Sequence, residues 1–249
     1  MGKIKFSVCT DALYNGLDTA EAISRCAALG FEAIEFWFWP DKDMKAIKEA
    51  ATKNNVRIAG FCTSHMRLTE PSERSAFLDG LAESVRVAQS AGAGLLITQT
   101  GPDTGEPRET QLASLIDGLS AAKRVLDGSG VVLVVEPLNV LYDHPGYFLP
   151  SSIEGFEIIK KAGHPNIKIL YDIYHQQITE GNIVNNIRGN IGLIAHFHAA
   201  GHPGRHELSE GELDYGYVLA QIEKMPYGGY VGLEYFPVNP PEVGLKALA

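Results

Sequence analysis

Short runs of β-branched and apolar residues recur about every 30 residues along the chain, with helix-spaced segments between them. The runs are Lys3 to Cys9, Ala33 to Phe38, Arg57 to Cys62, Leu95 to Thr100, Val131 to Pro137, Ile167 to Asp172, Leu193 to Ala199 and Tyr230 to Tyr235. Most are continuously apolar, as strands covered on both faces are. The intervening helices are also marked. Asp18-Thr19-Ala20-Glu21 reads as a helix start, followed by Ile23, Cys26 and Ala27 on one face. Met44, Ile47 and Ala51 share a face, as do Phe77, Leu81 and Val85 in a segment that begins after Pro71. Leu112, Leu115, Ile116 and Leu119 form another stripe. Ser151-Ser152-Ile153-Glu154 opens a further helix, and Asn182 to Ile187 makes a short one. Tyr217, Val218 and Ile222 support the next, and a last short helix follows Pro241.

Eight alternating β and α units in 249 residues predict an α/β fold, a single-domain (β/α)8 TIM barrel over residues 1–249. An open doubly wound sheet is the competitor. Its usual Gly-rich first turn is missing, because Thr10 to Gly16 lacks G-x-G-x-x-G spacing.

In such a barrel the C-terminal strand ends form the active-site face. There the fifth run supplies Glu136, the sixth ends in Asp172, the seventh carries His196 and His198, and the eighth carries Glu234. A charge at the end of an apolar stretch is costly unless it is paired or bound to a metal. A single strand-end carboxylate is more often a helix cap or ion-pair partner. Four such groups in register point to a cation, without which the carboxylates would repel one another. Oxygen and nitrogen ligands with no thiolate suit one divalent metal ion, Mg²⁺, Mn²⁺ or Co²⁺, rather than a structural zinc. The candidate ligands are Glu136, Asp172, His198 and Glu234. His196 shares one side of its strand with His198 but lies deeper, as a core histidine or a support.

Around this cluster, His175 lies just beyond the sixth run, within reach of the same pocket. Arg205 lies in the loop from Gly201 to Glu207, where it could clamp an anionic or hydroxylated substrate or pair at the surface with Glu207 or Glu210. His202 and His206 read as exposed loop residues. His65 and Gln99 are further pocket candidates, and His65 is assigned to substrate binding. The run Phe36-Trp37-Phe38-Trp39-Pro40 could wall the pocket, pack in the core or meet another subunit. Cys9 and Cys62 read as small buried thiols.

Composition narrows the partners. A net charge of −9 argues against nucleic acid. No run of about 18 apolar residues is present, so no membrane partner is expected. Met1-Gly2-Lys3-Ile4-Lys5-Phe6 lacks a signal-peptide core, and the odd, widely spaced Cys9, Cys26 and Cys62 do not make a disulfide framework. A cytoplasmic protein acting on a small molecule is expected, as a homo-oligomer paired through its rim loops.

At these residues the chain resembles a known family. Val131 to Pro237 is similar to the hydroxypyruvate isomerases of the xylose isomerase-like barrel superfamily, which also holds ketose 3-epimerases and endonuclease IV. The matching stretches are Glu136-Pro137-Leu138-Asn139, Pro145-Gly146-Tyr147-Phe148-Leu149 and Tyr171-Asp172-Ile173-Tyr174-His175 with Gln177-Ile178 and Glu180-Gly181. Pro203-Gly204-Arg205-His206-Glu207, Gly211-Glu212-Leu213-Asp214-Tyr215 and Gly232-Leu233-Glu234-Tyr235 complete them. Before residue 130 the likeness is looser, chiefly Gly30-Phe31-Glu32-Ala33-Ile34-Glu35-Phe36. The resemblance implies metal ligation by Glu136, Asp172, His198 and Glu234, with Glu136 and Glu234 doubling as the proton-transfer pair. It implies that His175 and Arg205 contact substrate oxygens. Hydroxypyruvate isomerases often carry Gln where this chain has His198, and ketose 3-epimerases carry His there.

Two carboxylates flanking a metal-bound α-hydroxycarbonyl can move a proton through an enediolate. Return of the proton to the neighbouring carbon is aldose–ketose isomerisation, here of hydroxypyruvate and tartronate semialdehyde. Return to the other face of the same carbon is ketose 3-epimerisation, the alternative. A DNA-repair endonuclease would need further metal ligands and a basic groove. A non-catalytic sugar binder would not need Glu136 and Glu234 together over the ligand.

Overall fold

Parallel strands cannot be joined by tight turns, so each strand needs a crossover connection that leaves the sheet and returns. In the computed structural model these crossovers wrap a closed sheet. The elements run β1 (Lys5–Cys9), α1 (Thr10–Leu13), α2 (Thr19–Ala28), β2 (Ala33–Phe36), α3 (Met44–Asn54), β3 (Arg57–Cys62), α4 (Arg74–Ala91) and β4 (Leu95–Thr98). They continue α5 (Arg108–Leu126), β5 (Val132–Val135), α6 (Ser152–Ala162), β6 (Ile167–Asp172), α7 (Ile173–Thr179) and α8 (Ile183–Asn190). Last come β7 (Ile194–Ala199), α9 (Tyr215–Glu223), β8 (Tyr230–Leu233) and α10 (Pro241–Lys246). The strands pair in chain order, all parallel, and β8 closes on β1, which is the TIM barrel the sequence predicts. The structure describes residues 4–249, so Met1, Gly2 and Lys3 lie outside it, with the start of the first predicted strand and of the segment read for a signal peptide.

All eight strands stand where the sequence places them, but several are shorter. β2 stops at Phe36, β4 at Thr98, β5 at Val135 and β8 at Leu233. Beyond those points the backbone leaves the ladder, and Trp37, Gln99, Glu136 and Glu234 sit on the departing segments. Helix α1, read from sequence as a turn, and helix α7 were not predicted. Both are too short to show a periodic stripe. Several predicted helix starts are true caps. Asp18 accepts from the N–H groups of Ala20 and Glu21, and Ser151 from that of Glu154.

Burial falls into two layers. A large apolar annulus lies between the strands and the helices. A smaller cluster, Cys62, Leu95, Ile97, Val134 and Leu170, fills one half of the barrel interior. Ser7, Glu35, His196 and His198, all buried, fill the other. Two register shifts break the ladder. One places Ala59 of β3 as an extra residue opposite β2 at Ile34/Glu35, and the other does the same with Ala195 of β7 opposite β6. The second bulge directly precedes His196 and re-aims the two histidines. Cys9, Cys26 and Cys62 are free and buried. Among the described residues no helix is long and apolar enough to cross a membrane.

Candidate active site

Four successive strands deliver the predicted cluster. Glu136 follows β5, Asp172 ends β6, His198 lies in β7 and Glu234 follows β8. Each is buried, and one ligand atom from each lies within 4.8 Å of the others. The Nδ1 atom of His198 stands 3.3 Å from Glu136 Oε1 and 3.2 Å from Glu234 Oε2. Neither that nitrogen nor Glu136 Oε1 makes a hydrogen bond, although both are buried. An imidazole nitrogen and carboxylate oxygens that converge without bonding one another form a donor set that a divalent cation fits.

Electrostatics say the same. Burial pushes the Glu136 carboxyl up; His198 partly offsets this, and the charges of Glu234 and Asp172 add to the rise. Burial also raises Asp172, partly offset by Arg205. Glu234 behaves differently. Burial opposes its charge, but His198 and Arg205 hold it well below the usual carboxylate range. Burial likewise opposes a charge on His198, yet Glu234 and Glu35 keep the ring protonated well above its ordinary range. A cation among these carboxylates would take the place of that proton.

The surrounding groups are fixed by specific contacts. Both Glu234 oxygens are held: Trp37 Nε1 donates to Oε1 at 2.6 Å, and the Arg205 guanidinium bonds Oε2. Arg205 also lies 3.9 Å from Asp172 Oδ2 and 3.8 Å from Asp143 Oδ1, between the rings of Tyr174 and Phe236. Its backbone is left-handed (φ 58°), a conformation that costs a non-glycine residue about 1 kcal/mol. Of the two roles open to Arg205 from sequence, the structure shows the inward one. Glu207 turns away and accepts from the backbone of Val238 and Asn239.

Asp172 caps α7 through Oδ1, which accepts from the N–H groups of Tyr174 and His175 at 2.8 and 3.2 Å. Its Oδ2 is left to face His175 Nε2 at 3.5 Å. The side-chain amide of Asn139 reaches His175 Nδ1 at 2.6 Å, which assigns the proton to Nε2. Burial, and then the charge of Arg205, hold His175 well below its usual range, so the ring is neutral.

Glu136, His198, Glu234, His175, Arg205 and Asp143 line a cavity of about 430 Å³. Trp37, Phe38, Leu138 and Phe236 wall it, and Gln99 and Cys62 contribute to it. Trp39, by contrast, turns out of the cavity and donates to Ser84. His65 does not line this cavity. The chain beyond β3 carries it outward to pair with Glu73 of the next segment, and it lines a neighbouring groove of about 400 Å³ instead. His202 and His206 are part-buried rather than exposed, with His206 bonded to the Phe236 carbonyl. A larger hollow of about 640 Å³ lies at the opposite end of the barrel, lined by Arg57, Ala195 and Tyr230, away from the cluster. Glu35, Asn139, Asp143 and His144 were not singled out from sequence. Glu35 had a signal, a lone carboxylate inside an apolar strand. Asp143 and His144 had none, because they lie on an irregular loop.

Comparison with known proteins agrees with this geometry. Residues 23–249 match the model of the xylose isomerase-like TIM barrel family. Hydroxypyruvate isomerase of Escherichia coli is 30% identical over 98% of this chain and 97% of its own length. 2-Oxo-tetronate isomerase of Cupriavidus necator is 28% identical over 97% of this chain and 96% of its own. A crystal structure from Brucella melitensis, described as an AP endonuclease of family 2, superposes with a TM-score of 0.93 at 28% identity, covering 97% of this chain and 96% of that one. With the fold, the strand-end cluster and these likenesses in agreement, the chain belongs to the hydroxypyruvate isomerase family of xylose isomerase-like TIM barrels and is an isomerase-class enzyme.

Proposed function

We propose that the protein, acting as one domain over residues 1–249, interconverts hydroxypyruvate and tartronate semialdehyde, with one divalent ion (Mg²⁺, Mn²⁺ or Co²⁺) held by Glu136, Asp172, His198 and Glu234. The observation that carries this reading is the convergence of these side chains within 4.8 Å, with Nδ1 of His198 and Oε1 of Glu136 left unbonded. The ion, when bound, would polarise the substrate carbonyl and offset the negative charge that develops as the proton leaves.

The chain's own groups do the rest. Glu136, with one oxygen free of hydrogen bonds, takes a proton from the hydroxyl-bearing carbon. The resulting enediolate is protonated at the neighbouring carbon by Glu136, which now carries the abstracted proton, while the hydroxyl proton passes to the former carbonyl oxygen; Glu234 stays ionised beside it. Trp37 and Arg205 hold Glu234 in one orientation. Neutral His175 offers its Nε2–H to a substrate oxygen, and Arg205 meets the substrate carboxylate. Trp37, Phe38, Leu138 and Phe236 limit water around the enediolate. The enzyme works as a cytoplasmic homo-oligomer.

Metal-loaded protein incubated with hydroxypyruvate in D₂O, followed by proton NMR, tests the reading. Tartronate semialdehyde should appear and carry deuterium. Chelation should stop its formation, and so should Glu136→Gln. A second reading is ketose 3-epimerisation, favoured by the imidazole at His198 and by a cavity of about 430 Å³, roomy for a three-carbon acid. Conversion of fructose to its C3 epimer, with hydroxypyruvate left unchanged, would put that reading first. The net charge of −9 disfavours DNA cleavage, and a nicked abasic oligonucleotide checks it.

A further inference from the structure

Beneath the cluster, Glu35 of β2 is buried and absent from the cavity lining. Its Oε2 accepts from Ser7 Oγ at 2.7 Å and pairs with His196 Nε2 at 2.8 Å. Its Oε1 lies 2.8 Å from Nε2 of His198, whose other ring nitrogen faces Glu136 and Glu234. The contact to His198 is close but bent, with no straight hydrogen bond. Terminal carboxylate torsions are broad, so straightening it costs little. The neighbouring strand leaves room at this point. A Cβ on Gly232 of β8 would lie 2.4 Å from Glu35 Oε1 and 2.7 Å from His198 Cδ2. The bulge at Ala195 sits on the same strand as both histidines.

A carboxylate on one ring nitrogen fixes the tautomer and orientation of an imidazole and presents the other nitrogen for ligation. We infer that Glu35 is a positioning residue that holds Nε2 of His198 and thereby aims Nδ1 at the three carboxylates, setting how tightly the cluster binds its ion. Ser7 and His196 anchor Glu35 from the far side. The inference rests on the metal reading above.

Mn²⁺ binding to the full chain, followed by electron paramagnetic resonance, tests it in the parent, Glu35→Gln, His198→Gln and the double variant. Circular dichroism and thermal melting confirm that each is folded. Glu35→Gln should weaken Mn²⁺ binding about 10- to 100-fold in the parent background. It should cost nothing further once His198 is Gln, because Glu35 acts only through that ring. An equal loss in both backgrounds, or no loss in either, overturns the inference and leaves the metal reading standing. A parent that takes up no Mn²⁺ overturns the metal reading, and this inference with it. If Glu35→Gln does not fold, Ser7→Ala removes one anchor of Glu35 instead. A smaller loss that again vanishes in His198→Gln is expected, and an absent or additive loss overturns the inference.

Discussion

The two halves of the barrel interior hold together by different means. Across β3 to β6 the interior is Cys62, Leu95, Ile97, Val134 and Leu170. Across β1, β2, β7 and β8 it is Ser7, Glu35, His196 and His198, with Gly232 keeping space open. The apolar half is stabilised by burial, which has no direction and tolerates exchange of side chains of like volume. The polar half is stabilised by directed contacts, so removing one group strands its partner in a dry interior. The halves still depend on one another. The apolar side keeps the dielectric low, and charges on the polar side therefore act on each other strongly.

The largest expected effect is at the rim above both halves. Glu136→Gln should lower kcat on hydroxypyruvate about 10²- to 10⁴-fold. In chelator-treated protein the same change should leave the melting temperature equal or higher. Burial, with help from its acidic neighbours and against the pull of His198, raises the folded-state pKa of Glu136. Its contribution to stability is therefore present below the unfolded carboxyl pKa and lost as pH rises through the folded value, so above the unfolded value the group is a burden. A lower melting temperature in EDTA would contradict this. Next comes Glu35→Leu, which leaves His196 without its acceptor and His198 without its ion-pair partner and should cost about 3–5 kcal/mol by urea denaturation. Gly232→Ala, which crowds the same pair, should cost about 1–3 kcal/mol. Smallest is Ile97→Val in the apolar half, at about 0.5–1.5 kcal/mol with Mn²⁺ affinity unchanged. If Ile97→Val weakened metal binding as much as Gly232→Ala, the division between the halves would fail.

That division also explains what could be read from the sequence. Strands such as Arg57–Cys62 and Ile167–Asp172 announce themselves because both faces are covered, and their ends match the structure. Glu136, Asp172, His198 and Glu234 stood out because each closes such a run, and the structure gathers them. Glu35 was legible in principle but silent in practice. It sits within β2, and its partners Ser7 and His196 come from β1 and β7, far apart in sequence. The pairing of His65 with Glu73 was not legible, because position after a strand says nothing of which way the following loop leaves. Helix α7 was hidden because its start depends on Asp172, a residue already assigned to another task.

That double duty of Asp172 reaches beyond the chemistry. One oxygen holds the amides that begin α7, and the other faces the cluster. The first turn of α7 therefore cannot fray without loosening a ligand, and filling the cluster must quiet that turn. Hydrogen exchange at the Tyr174 and His175 amides should thus serve as a gauge of occupancy, slowing as ion is added, with no substrate present.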